Sequence, residues 1–268
     1  MFCKKIATIL ITSPGIFTLI ICIIYMWALF YKEITSFFGS LIGYLVVIVF
    51  LAAMSLFLWV FPGSFNIPEA GFAQLDPLFS LAPFVFMFLI PAITMRTFSD
   101  EFRLGTIELL ATKPITDMQI VWAKYLAGIM LVIISLIPTL VYYYSVYQLG
   151  MEIGNLDKGG TWGSYIGLLF LASSFVSMGI YASSLTDNTI VAFVLGMLFC
   201  FIFYLGFDLI AMSGYFPTID YYFYQLGINE HYLSMSRGVI DSRDVVYFFS
   251  INLVFIYLTY MKLVSRKW

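Results

Sequence analysis

A chain of 268 residues that is 62% hydrophobic, 19% aromatic and only 10% charged, with a mean hydropathy of +0.98, is not an ordinary water-soluble domain. Its formal net charge of −2 offers no broad basic surface for nucleic acid. Cys3, Cys22 and Cys200 lie in or beside apolar runs without paired spacing, so neither a disulfide framework nor a metal site is suggested.

A helix needs about 20 mainly apolar residues to cross a bilayer. Uncharged runs occupy 6–31, 34–68, 77–95, 125–151, 159–186, 188–207 and 245–261. Backbone in lipid must satisfy its own hydrogen bonds, and the alternating polarity of a membrane barrel is not visible, so the runs are predicted as helices. The expected fold is an all-α integral membrane protein with six main transmembrane helices, near 41–61, 78–95, 120–141, 164–185, 189–210 and 246–263.

The first run does not fit this count. Lys4-Lys5 before an apolar stretch resembles a signal sequence or signal anchor without an obvious cleavage site. Residues 1–25 are therefore expected to be an upstream extension or a peripheral element. The main domain is expected over 26–268, beginning with a short amphipathic segment from Tyr31 to Phe38. Gly39-Ser-Leu-Ile-Gly43 and, later, Gly163-Ser-Tyr-Ile-Gly167 have the small-residue spacing that permits close helix contact. Pro83 and Pro91 in the second span and Pro138 in the third are expected to kink their helices.

Between the second and third spans the charge changes abruptly. Arg96, Asp100, Glu101, Arg103, Glu108 and Lys113 fall in one short segment that ends at Pro114, with Lys124 following. With six spans these basic residues share a side with Lys32, Lys262, Arg266 and Lys267. The opposite side holds Lys158, Arg237 and Arg243 among more numerous acids. Excess Lys and Arg marks the cytoplasmic side, so both ends of the 26–268 domain and the charged loop are predicted inside.

Further along, Ser173-Ser174, Ser177 and Ser183-Ser184 in the fourth span read as helix-packing hydroxyls. The segment 211–245 is rich in Tyr and Phe, which gather at membrane interfaces; a short re-entrant or interfacial helix is expected there. Arg237, Asp241 and Asp244 could form a local ion-pair set on the outer face, serving as an exit gate or an orienting element for the sixth span.

Several chemistries are missing from the sequence. No Gly-x-x-x-x-Gly-Lys-Ser/Thr phosphate loop occurs, so ATP hydrolysis is not expected in this chain. His231 is the only histidine, and there is no Gly-x-Ser-x-Gly elbow. No acid is central to a span; Asp208 lies near the outer end of the fifth. A carrier driven by protons or ions usually places ionisable groups inside the membrane, which points to an energy source outside this polypeptide.

Glu101-Phe-Arg-Leu-Gly105-Thr106-Ile-Glu108-Leu-Leu110-Ala-Thr-Lys-Pro114, followed by Ala123-Lys124, resembles the E-x-x-x-G-T-x-E-x-L signature of type 2 ABC-exporter permeases. Stretches 36–45, 88–101, 163–171, 184–188 and 236–244 are similar to the permeases of gliding-motility-associated ABC transporters, the GldF type. This resemblance implies a cytoplasmic coupling helix between the second and third spans that docks in a groove of an ATPase subunit. It implies a GldA-like ATPase that binds ATP and Mg, no cofactor on this chain, and a GldG-like companion or a second permease copy in a bacterial inner membrane. On that basis the candidate coupling residues are Asp100, Glu101, Arg103, Gly105, Thr106, Ile107, Glu108, Leu110 and Pro114. Thr97 and Asp100 are expected to cap the coupling helix, Glu101 and Glu108 to orient it, Ile107 and Leu110 to supply the docking contact, and Arg103 to touch the ATPase or lipid headgroups. The alternative is a non-transporting membrane scaffold of motility or secretion machinery. An intramembrane enzyme finds no paired acids or activated nucleophile to support it.

Overall fold

The computed structural model describes residues 16–71, 73–111, 113, 115–150, 156–212 and 224–265. The described residues are helical and contain no strand. Helix α1 spans Ile16–Phe38 and α2 Leu41–Ser55, the latter prolonged by a π-type turn over Leu56–Val60. Helices α3 (Asp76–Thr94) and α4 (Arg96–Arg103) are nearly continuous, and α5 is a short helix over Ile107–Ala111. Helix α6 (Asp117–Leu136) passes through a 3-10 turn at Pro138 into α7 (Leu140–Leu149). Then come α8 (Lys158–Leu185), α9 (Thr189–Phe201), a π-type turn, α10 (Phe207–Met212), α11 (Ile228–Ser236) and α12 (Ser242–Ser265).

Among the described residues six stretches are long and apolar enough to cross a membrane: Gly43–Val60, Asp76–Arg103, Asp117–Leu149, Lys158–Leu185, Thr189–Met212 and Ser242–Ser265. They coincide with the six expected spans but differ in length. The boundary expected at Met26 falls inside α1, and Tyr31 to Phe38 forms the last part of that helix. Residues 1–15 of the expected extension lie outside the described residues.

Consecutive spans run in opposite directions, which gives the bundle two chemically different ends. At one end, which carries the charged loop, Lys124 of α6 meets Thr97 and Ser183 of α8 meets Met95. At the far end the Tyr232 hydroxyl donates to the Phe79 carbonyl, and the Tyr165 ring packs edge-on against Phe79. Helix α8 is the central column. It packs against α3, α4, α6, α9, α11 and α12, and nearly three quarters of its most apolar stretch is buried. By contrast α2 and α9 are mostly exposed, as helices facing lipid or another subunit would be.

Two glycines of α8 permit this central packing. A Cβ at Gly179 would lie 2.1 Å from the Thr94 hydroxyl, and one at Gly163 would lie 2.7 Å from the Cα of Gly238. The Gly163–Gly167 spacing thus works as expected, seating α11 and its following turn on α8. The Gly39–Gly43 spacing serves another purpose: a Cβ at Gly43 would strike the Phe37 carbonyl, so it closes the turn between α1 and α2.

Replacing Gly179 with Ala forces α3 away from α8 at the loop end. The expected cost is about 1–3 kcal/mol of overpacking, read as a lower unfolding temperature of the detergent-purified chain.

Candidate functional site

The polar segment after the second span remains helical because the central column supplies replacement hydrogen bonds. The helix is interrupted at Met95, whose N–H still donates to the Pro91 carbonyl at 2.8 Å. The Ser183 hydroxyl donates to the Met95 carbonyl at 2.8 Å and accepts from the N–H groups of Phe98 at 3.0 Å and Ser99 at 3.1 Å. The Ser99 hydroxyl also donates to the Met95 carbonyl. One side chain of α8 thereby fastens the joint between α3 and α4. Thr97, expected to cap a new helix, lies within α4 instead, and no side chain caps that helix start.

Below this joint lies a charged network. Lys124 is 1% exposed. Its Nζ is 3.0 Å from Glu33 Oε1, 3.0 Å from Glu101 Oε2 and 2.6 Å from the Thr97 carbonyl, with the Phe98 ring centroid at 4.8 Å. Lys32, at the solvent side, places its Nζ 3.0 Å from Glu101 Oε1 and 3.6 Å from Glu33 Oε1. Burial pulls the Lys32 pKa down, but the charges of Glu101 and Glu33 outweigh it and hold the pKa above the usual lysine value. Two lysines and two glutamates leave no net charge, which is the condition for burying ions at tolerable cost. The network joins α1, α4 and α6 and lines a cavity of about 400 Å³ shared with Arg96, Asp100 and Thr106.

The predicted coupling residues separate into two groups. Glu101 (7% exposed) and Ile107 (6% exposed) are buried, and Leu110 packs partly against the core. The expectation that Ile107 would dock a partner is corrected: its side chain anchors α5 to the bundle. Among the described residues of the loop, Leu104 is an exposed apolar side chain, at 69%. Arg103 and Glu108 are exposed, and Arg103 pairs with Asp100 at 2.9 Å. Gly105 takes a φ of +66°, the left-handed conformation that turns the chain from α4 into α5. Thr106 is half-buried between them, and Pro114 lies outside the described residues. Helix α6 then starts with a reciprocal capping box between Thr116 and Gln119.

The far-end candidates do not form one set. Asp241 Oδ1 accepts from the Arg243 N–H at 2.9 Å at the start of α12. Asp244 is buried and pairs with His231 at 2.7 Å, a partner the sequence pattern did not point to. Arg237 ends α11 in the open and makes no ion pair among the described residues. It lines, with Asp76, Asp157, Asn229 and Tyr232, a far-end cavity of about 650 Å³. Among the described residues no cluster of His, Cys, Asp and Glu fit for a metal occurs.

The profile of the ABC-2 family transporter protein family matches residues 63–262, and the chain belongs to that family. No curated protein matches it.

Replacing Lys124 with Met leaves the buried Glu101 and the half-buried Glu33 short of a cation, at an expected cost of roughly 3–5 kcal/mol. Adding Glu33→Gln should recover part of that loss, because Glu101 keeps Lys32. Thermal unfolding of the two variants and of Glu33→Gln alone closes a double-mutant cycle, and additivity would contradict the network.

Proposed function

We propose that this ABC-2 family member, a transport permease and not itself a catalyst, is the membrane subunit of an ATP-driven exporter associated with gliding motility. A separate, GldA-like ATPase carries ATP and Mg, as family membership implies an ABC ATPase partner. A GldG-like companion or a second permease copy completes the assembly in the bacterial inner membrane, with both ends of the 26–268 domain on the cytoplasmic side.

The observation that carries this reading is the turn from Arg103 to Glu108. Leu104 and Glu108 are exposed on it, while Ile107 within it and Glu101 just before it are buried in the bundle. An apolar anchor flanked by charge suits docking into a groove. Force applied to Leu104 reaches α4 through the backbone, then α6 and α1 through the Lys124 network, and α8 through Ser183. Helix α5, together with this turn, is the coupling element in this reading. A solvated loop with no partner would need no such fastening.

Co-expression with the ABC ATPase of the same genome tests the proposal. Wild-type chain should co-purify with the ATPase. Leu104→Asp should abolish co-purification, and Glu108→Lys should weaken it or uncouple ATP hydrolysis from transport. Both variants should remain folded in the membrane, since both side chains are exposed. Wild-type binding and coupling in both variants would sink the assignment. Assembly that survives ATPase inactivation without change in the spans would point instead to a scaffold.

A further inference from the structure

Both ring nitrogens of His231 face acceptors. Nδ1 lies 2.7 Å from the Asp244 carboxylate of α12, and Nε2 lies 2.9 Å from the Gln225 carbonyl in the turn before α11. A neutral imidazole has one N–H and one lone pair, so in either tautomer one of these contacts would set a lone pair against an acceptor. Only the imidazolium satisfies both. Asp244 Oδ2 is buried without a hydrogen-bond donor, and His231 is the carboxylate's ion partner among the described residues. The Tyr247 ring stacks on the imidazole at 3.8 Å, and its hydroxyl donates to the Leu226 carbonyl in the same turn.

We propose that His231 is a protonation-dependent latch that closes the 224–226 turn onto α11 and α12. With the proton in place, the ring ties the 224–226 turn, α11 and α12 together. Loss of that proton to solvent, which reaches the partly exposed side chain, breaks one of the two ties. Among the described residues, the other ionisable groups around the latch are Asp244, Arg243 and Tyr247 on α12, Asp208 on α10 bonded to Asn229, Tyr224 in the turn, and Glu230 and Arg237 on or ending α11. Of these side-chain types, only imidazole ordinarily changes charge between about pH 5 and 8. The opposite face of α11 is pinned independently, by Tyr232 to Phe79 and by the Ser164 hydroxyl to the Ser236 carbonyl. Release therefore loosens the turn and the α12 side while α11 stays seated.

His231 is the only histidine in the chain, so a sample labelled with ¹⁵N-histidine gives a self-assigned signal. The full chain in nanodiscs is followed across about pH 5 to 8 by ring-nitrogen NMR and by hydrogen exchange of residues 224–227, corrected for intrinsic exchange rates. The expected result is two protonated nitrogens while the segment is protected. Exchange should rise about tenfold as one proton is lost, the effect of one charge-assisted hydrogen bond. His231→Phe keeps the stacking on Tyr247 and should exchange fast at every pH. Asp244→Asn keeps an acceptor without the charge and should show a smaller pH response. A single protonated nitrogen with the segment protected throughout would overturn the latch. So would wild-type exchange that ignores the ring's protonation, or wild-type pH response in His231→Phe.

Discussion

A single buried ammonium sets the geometry of the loop end. Lys124 lies on the third span, at a depth where an unpaired charge would be very costly, and it must be met by acceptors from whatever surrounds it. Three acceptors come from three places: Glu33 from the N-terminal helix, Glu101 from the end of the second span, and the Thr97 carbonyl from the joint above it. Once those contacts are imposed, α1 lies against α6 and α4 continues the line of α3. The turn at Gly105 is then held just beyond a rigid support. An aliphatic side chain at 124 could fill the same volume but would leave the relative register of these helices far less determined.

The far end is organised differently. There the ties are small-residue contacts and isolated hydrogen bonds: Gly163 against Gly238, Ser164 to Ser236, Tyr232 to Phe79, and the His231–Asp244 pair. Helix α8 connects the two regimes, contributing Ser183 at one end and Gly163 and Ser164 at the other. A long central helix buried along most of its length can transmit a displacement because its close-packed neighbours have little free volume to absorb it. The loop end is thus a rigid charged joint and the far end a set of separable contacts.

Much of this was legible in the residues. The six spans followed from run length, and the resemblance marked the segment from Glu101 to Pro114 before any contact was known. The charged segment's internal structure was not legible. Thr97 looked like a cap, yet the Ser183 hydroxyl and Lys124 keep Thr97 inside a helix that extends the second span. Ile107 looked like a docking contact, yet it is buried, and Leu104 is the side chain presented outward. Arg237, Asp241 and Asp244 looked like one ion-pair set, yet Asp244 belongs to His231. The differences at Thr97 and Asp244 arise from partners more than ten residues away in the chain, whose positions a local pattern does not encode.

By itself the sequence determined that the chain lives in a bilayer, how many times its most apolar stretches can cross, and where the polar loop interrupts them. Those properties follow from the solvent: lipid demands a length of apolar helix and repels charge, and both demands are local to each stretch. Only the tertiary structure decided which helix is central, which charges are buried partners and which side of the loop faces outward. The spans are almost uniformly apolar, so their faces carry little sequence signal. The choice among faces is made by where glycine permits close approach, where a hydroxyl can repair a broken helix, and where a lysine and its glutamates must meet.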